Sequence, residues 1–213
     1  MLHLVARFQF LALLISLLAV GGATPARGDI VAQYTFPTET MGVERTGPGF
    51  AATTTADNAT ATDIALSDSL PDPAEPFIAD RAPPYGRPVL RIDPGDGSTS
   101  ADEAIANGTF FEFSVTAADG FVINVDTLTF SAARGGALTP RGWVVLSDVD
   151  GFTNPIGMAE VPSQRPDLTS FAIHLHDPSF QGLTEVTFQI YTFVPNGGQS
   201  VEYVDVTLNG TVQ

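Results

Sequence analysis

The histidines of His174-Leu175-His176 are the sharpest chemical candidate in this chain. Residues two apart on a β-strand point to the same side, so both imidazoles could reach one metal ion. A metal site needs more protein ligands than two, but the only other histidine is His3 and the next glutamate is Glu185. The pattern therefore predicts two solvent-facing histidines on the outer side of a strand and no metal.

Asp148-Val149-Asp150-Gly151 resembles the first half of a calcium-binding loop. An EF-hand would place an oxygen ligand at position 152 and a glutamate at position 159, where Phe152 and Ala159 stand. The alternative interpretation is a hairpin turn after a strand. A structural calcium ion held by distant loops stays open as a second alternative, because hard oxygen ligands are abundant. We expect no other cofactor.

The sequence contains no recognisable catalytic motif. Acidic residues are so frequent that neighbouring carboxylates are expected by chance, and no compact spacing suggests a glycosidase pair. The Gly-x-Ser-x-Gly motif of serine hydrolases is absent as well. We therefore predict that the protein is not an enzyme.

The charge of the chain limits its partners. After residue 28 the sequence has 24 acidic residues against seven arginines and no lysine, a formal net charge of −17. A surface this acidic repels nucleic acid and anionic lipid. The composition favours solubility in a saline habitat over a specific cation site.

Residues 1–28 have the order of a secretory signal peptide. A basic start precedes the apolar run Phe10–Val20, which is too short to span a membrane, and small residues follow. Cleavage could fall after Ala23, Ala26 or Gly28. The chain contains no cysteine, which excludes a lipoprotein anchor and a disulfide framework. We expect a secreted protein with no membrane span after cleavage.

Residues 29–213 are expected to form one monomeric β-sandwich domain. Short segments of alternating apolar and polar residues recur between turn signals, which is typical of an all-β, antiparallel two-sheet β-sandwich of jelly-roll type. The predicted strands are 29–36, 89–92, 109–116, 121–130, 142–147, 170–176, 184–193 and 202–212. The residues expected to be buried are Phe113, Phe130, Trp143, Ile173, Phe188 and Val206.

Three features modify this pattern. The strand at 142–147 holds the only tryptophan and should be central to the core. The alternation of apolar residues changes parity near Asp126, which predicts a β-bulge or a bend there. Residues 38–88 are rich in proline, so we expect a long irregular segment that lies across a sheet or an edge.

Four stretches resemble the jelly-roll, galactose-binding-like domain of exported bacterial proteins that often carry PEP-CTERM sorting anchors. The stretches are Ile30-Val31-Ala32-Gln33-Tyr34-Thr35-Phe36, Phe111-Glu112-Phe113-Ser114-Val115, Trp143 to Ser147 with Asp150-Gly151-Phe152, and Val206-Thr207-Leu208-Asn209-Gly210-Thr211-Val212. Val204-Asp205 stands where many relatives have an Asp-Asn pair. The chain ends at Gln213 without the anchor motif, so the resemblance implies a released protein.

The resemblance implies a secreted, non-catalytic domain that binds glycan or associates with an extracellular matrix or surface. The alternatives are a polysaccharide-active hydrolase of jelly-roll fold and a purely structural exported domain. On the last strand, the alternation places Val204, Val206 and Leu208 on the core side. If the last two strands pair, their outward-facing residues suggest a patch for extracellular polysaccharide: Tyr191, Phe193, Tyr203 and Asp205. The competing interpretation is that segment 38–88 covers this patch, because exposed aromatic clusters usually have a cover.

Overall fold

The computed structural model describes residues 28–36, 50–70, 78–79 and 89–213. Within these residues the chain forms thirteen strands and one short α-helix, α1 (Ala101–Asn107). The strands are β1 (Asp29–Tyr34), β2 (Thr54–Thr55), β3 (Ala59–Ala61), β4 (Ala65–Leu66), β5 (Ile78–Ala79), β6 (Val89–Ile92), β7 (Phe110–Ala117), β8 (Ile123–Arg134), β9 (Gly142–Ser147), β10 (Gly157–Glu160), β11 (Thr169–His174), β12 (Glu185–Phe193) and β13 (Val201–Val212). The predicted signal peptide lies outside the described residues except for Gly28.

Two antiparallel sheets pack face to face, and the predicted all-β, two-sheet sandwich of jelly-roll type is confirmed. Sheet I has the order β11-β8-β13-β1-β2, with β6 beside the first half of β13 and β5 beside β6. Sheet II has the order β10-β9-β12-β7-β3, with β4 also beside β7. The chain passes repeatedly between the sheets, so both are built from strands distant in sequence. Part of the segment 38–88 is regular, because it contributes β2, β3, β4 and β5.

The core contains all six residues that the sequence predicted to be buried, each no more than 5% exposed. Trp143 packs edge-on against Phe130 at 4.9 Å and against Phe171 at 5.1 Å between ring centroids. Burial of one such ring contributes about 2–3 kcal/mol. Strand β9 is second from the edge of sheet II rather than at its centre, but its residues are all buried because α1 and neighbouring loops cover its outer face.

Strand β13 contains a bulge that the sequence pattern did not reveal. Asp205 has φ +55°, and the pairing with β8 slips between Val204 and Thr207. An extra residue in one strand reverses which side chains face the core. Tyr203 consequently lies in the core with 0% exposure, while Val204 packs on the outer face with Val89. The predicted outward orientation of Tyr203 and inward orientation of Val204 are therefore wrong.

The bulge predicted near Asp126 is present. Thr127 pairs with Asn209 and Val125 pairs with Gly210, which leaves Asp126 as the additional residue of β8. Because of this bulge, Val125 before it and Leu128 and Phe130 after it all face the core. The change of parity in the sequence was thus a correct indication of backbone geometry.

Helix α1 was not predicted, although its sequence carries capping signals. The Ser100 hydroxyl accepts a hydrogen bond from the Glu103 amide, and the Glu103 carboxylate accepts one from the Thr99 amide at 2.9 Å. Gly108 closes the helix with φ +67°. Among the described residues no helix has the length and hydropathy required to cross a membrane.

Four arginines meet at one end of the sandwich, and they are all the arginines in the described residues: Arg91, Arg134, Arg141 and Arg165. The Arg141 side chain is buried and donates to the carbonyls of Leu138 and Ser200 and to the Gln199 amide oxygen. Arg165 lies 3.4 Å from the fully buried carboxylate of Glu202. This arginine network ties the 134–141 and 162–168 loops to the start of β13.

Replacing Arg141 by methionine should destabilise the fold by about 3 kcal/mol, because the buried Ser200 carbonyl and two partly buried acceptors lose their donor. The control is Ala106→Glu, which makes the same change in net charge at an exposed position of α1. Urea unfolding followed by tryptophan fluorescence measures both variants. Equal stabilities for the two variants would contradict a structural role for this guanidinium.

Candidate functional site

His174 and His176 are both exposed, as the sequence predicted. Their rings stack at 5.3 Å between centroids with 17° between the ring planes. In the ranges that the structure describes, no group of three or more His, Cys, Asp or Glu side chains is arranged to hold a metal ion. The predicted solvent exposure of both histidines is confirmed, although His176 lies just beyond β11, which ends at His174.

The Asp148–Asp150 segment is a turn that leads from β9 towards β10. One Asp150 carboxylate oxygen accepts from the Thr153 amide at 3.0 Å, and the other accepts from the Asn154 amide at 2.9 Å. Hydrogen bonds from Asn154 and Thr153 lower the pKa of Asp150. The Asp148 carboxylate accepts from the Thr187 amide at 2.8 Å. Both carboxylates thus stabilise local backbone, which supports the interpretation of this stretch as a turn.

Tyr191 and Phe193 point away from the core, on the outer face of sheet II, in agreement with the predicted alternation along β12. They are nevertheless only 5% and 8% exposed, because Ala104 and Ile105 of α1 pack against them. Among the described residues, α1 is therefore the element that covers these two rings, whereas the competing prediction assigned the cover to segment 38–88.

Tyr203 and Asp205 do not join this patch. Their strand, β13, belongs to sheet I, whereas β12 pairs with β7 and β9 in sheet II. The Tyr203 hydroxyl lies 2.8 Å from the Thr192 hydroxyl inside the core, and burial raises the pKa of Tyr203 strongly. The predicted four-residue patch is not assembled, and a ligand role for its individual members stays a prediction.

A hydrogen-bonded row of side chains runs along the outer face of sheet II instead. The Tyr191 hydroxyl donates to Gln189 Oε1 at 2.7 Å, and Gln189 Nε2 donates to Glu112 Oε2 at 2.9 Å. Gln189 and Glu112 are direct cross-strand neighbours of β12 and β7. The Phe110 ring packs on Tyr191 at 5.0 Å between centroids. We call Glu112, Gln189 and Tyr191 the polar row.

The polar row borders an open, hydrophilic half of the same face. Beyond it on β7 and β12, the Ser114 and Thr187 hydroxyls lie 2.7 Å apart, and Thr116 and Glu185 follow. Burial raises the pKa of Tyr191, and the negative charge of Glu112 raises it further. The site thus combines a carboxylate, an amide and hydroxyls with an aromatic border.

Glu112 and Gln189 were missed by the sequence analysis. Their outward orientation was contained in the alternation of the two strands, since both residues fall between core residues such as Phe113 and Phe188. Their contact depends on the pairing of β7 with β12, which lie about 70 residues apart and carry no local signal of their register.

No protein-family model matches the chain, and no curated protein matches its sequence. Similar solved structures include the arabinose-bound α-L-arabinofuranosidase MgGH51 (12% identity, TM-score 0.43) and the Clostridium thermocellum xylanase 10B CBM22-1–GH10 modules with xylohexaose (13%, 0.42). Another is the CBM22-1 xylan-binding domain of Paenibacillus barcinonensis Xyn10C (10%, 0.41). Each match covers 86% of this chain, which spans 27%, 29% and 96% of the three chains respectively. These values are too low to indicate a shared family, ligand or reaction.

Replacing Glu112 by glutamine should lower the pKa of Tyr191 towards that of a free tyrosine, because the neighbouring negative charge disfavours tyrosinate. Burial remains, so part of the elevation persists. NMR titration of the Tyr191 ring carbon measures this change. The control is Glu185→Gln, at the far end of β12, and an equal change in both variants would contradict direct coupling within the polar row.

Proposed function

We propose that the protein is a secreted, non-catalytic module that binds an uncharged polysaccharide on the outer face of sheet II. The observation that carries this proposal is the polar row of Glu112, Gln189 and Tyr191. A pyranose presents hydroxyl groups at its rim and C–H groups on its faces, so planar polar side chains beside an apolar surface suit it. Helix α1 covers the Tyr191 ring, and the partly exposed Phe110 ring beside it is the aromatic surface available to sugar C–H groups.

The polar row supports binding because its side chains are already held in place. Gln189 is fixed at both ends of its amide group, by the Tyr191 hydroxyl and by the Glu112 carboxylate. In the described part of the chain, the second Gln189 N–H and Glu112 Oε1 have no protein partner. A donor and an acceptor therefore remain for ligand hydroxyls, with little loss of side-chain freedom on binding.

The charge distribution supports an uncharged ligand. Glu112 and Glu185 lie on this face, whereas the arginines of the described residues converge on the network around Glu202. Uronate or sulfate groups would meet these carboxylates with no compensating cation among the described residues of the face. The overall formal charge of −15 adds long-range repulsion of anionic polymers and of nucleic acid.

Export and the absence of catalysis belong to the same proposal. Export follows from the signal-peptide pattern of residues 1–28, and the resemblance to exported jelly-roll domains agrees with it. A non-catalytic role is supported by the hydrogen bonds that occupy the Asp148 and Asp150 carboxylates beside this face. We also propose that the protein acts as a monomer.

Affinity electrophoresis in gels that contain xylan, mixed-linkage β-glucan or galactomannan tests the proposal. Wild type should be retarded by at least one of these neutral polymers and not by alginate. Glu112→Ala should reduce the retardation, with about a tenfold loss of affinity, because a charge-assisted hydrogen bond is lost. The control is Ser170→Ala, on the outer face of sheet I.

Three results would contradict the proposal. If Glu112→Ala folds like wild type by circular dichroism and its retardation is unchanged, the polar row does not contribute to binding. Release of reducing sugar from any of the polymers by purified wild type, in proportion to protein concentration, would favour the polysaccharide-hydrolase alternative. A lack of retardation by all three neutral polymers would leave the purely structural alternative.

A further inference from the structure

The outer face of sheet I contains a depression of about 530 Å³ on the opposite side of the sandwich from the polar row. It lies over β13 between β1 and β8, and its lining includes Asp29, Gln33, Thr129, Thr207 and Asn209. We infer that this depression is a second binding site, and that its ligand is an uncharged saccharide.

The strand register assembles this site from three strands. Thr207 of β13 has Gln33 of β1 on one side and Thr129 of β8 on the other. Two residues further along β13, Asn209 lies between Ile30 and Thr127. Neighbouring strands are about 4.8 Å apart and alternate residues about 6.8 Å apart, so the outward side chains form a regular lattice.

The two amide side chains of the depression have fixed orientations. Gln33 Nε2 donates to Thr207 Oγ1, and Asn209 Nδ2 donates to Thr127 Oγ1, both at 3.2 Å. Asn209 and Thr207 are each only 7% exposed, so neighbouring atoms hold them in place. Among the described residues, no partner occupies Asn209 Oδ1 or Gln33 Oε1. Each amide thus keeps one acceptor and one N–H for a ligand, although Asn209 is nine-tenths buried.

The chemistry of these groups selects the ligand class. Amides and hydroxyls offer both donors and acceptors, which matches the vicinal hydroxyl groups of a saccharide. Asp29 at the rim disfavours anionic sugars, and no cation among the described residues lines the depression. Ile30, which is 37% exposed, offers an apolar contact for sugar C–H groups. Within the described ranges the lining contains no aromatic ring, so the saccharide is held by its hydroxyl rim rather than by stacking.

A second site on the opposite face gives the molecule two attachment points. The polar row belongs to sheet II and the depression to sheet I, so one bound chain does not block the other. Where the proposed function holds, one protein molecule therefore joins two polysaccharide chains. The second site is formed by strands of sheet I alone and does not require the first.

Site-resolved NMR tests the inference. Backbone amide spectra of uniformly ¹⁵N-labelled full-length protein are recorded with xylohexaose, cellohexaose and mannohexaose at millimolar concentration. At least one sugar should shift the signals of Gln33, Thr129, Thr207 and Asn209 in a saturable manner. The double variant Gln33→Leu/Thr129→Val should bind at least tenfold more weakly at these positions, whereas Ser131→Ala, on the same face of β8, should bind like wild type.

The same spectra separate this inference from the proposed function. Shifts confined to the surroundings of Glu112 and Gln189 would overturn the second site and leave the proposed function intact. Shifts confined to the surroundings of Gln33 and Asn209 would support the second site and contradict the proposed function. The absence of saturable shifts in both regions would overturn both.

Discussion

The left-handed backbone of Asp205 decides which side chains of β13 face the core. Aspartate tolerates a positive φ better than most residues, so the bulge is accommodated at small cost. Before it, Val201 and Tyr203 face the core, and after it Val206 and Leu208 do. Because β13 pairs with β1, β6 and β8, this single bulge brings the core-facing side chains of these strands onto one side of the sheet.

The buried Tyr203 side chain contacts residues of both sheets and so holds the two sheets together. Its ring packs against Phe111 at 5.1 Å and Phe130 at 5.7 Å, and its hydroxyl pairs with Thr192 of sheet II. The arginine network holds the beginning of the same strand through Ser200 and Glu202. The arginines of the described residues thus serve the structure at one end of the sandwich, and the described residues that line both candidate sites are uncharged or acidic.

Local patterns in the sequence predicted what depends on local geometry. Alternation identified the strands, and the parity change located the bulge at Asp126 because apolar residues flank it on both sides. The bulge at Asp205 was hidden, since Tyr203 and Val204 are both apolar enough to be buried. The capping pattern at Ser100 and Glu103 was available but was not recognised before so short a helix.

Properties that depend on strand pairing could not be predicted in the same way. The assumption that β12 and β13 are neighbours placed Tyr191 and Tyr203 on one face, whereas the jelly-roll connections assign the two strands to different sheets. The contact of Glu112 with Gln189, and that of Gln33 with Thr207, likewise follow from pairings between distant segments. Candidate core residues were therefore predictable from this sequence, and the candidate sites were not.

The orientation of Tyr203 is the central claim of this account, because it decides which residues of sheet I are available on the surface. A proton nuclear Overhauser spectrum of the unmodified protein measures it directly. The structure predicts cross-peaks between the Tyr203 ring and the rings of Phe111 and Phe130. Cross-peaks from Tyr203 to Val89 and Leu168, the outer-face neighbours of Val204, would contradict the register of β13.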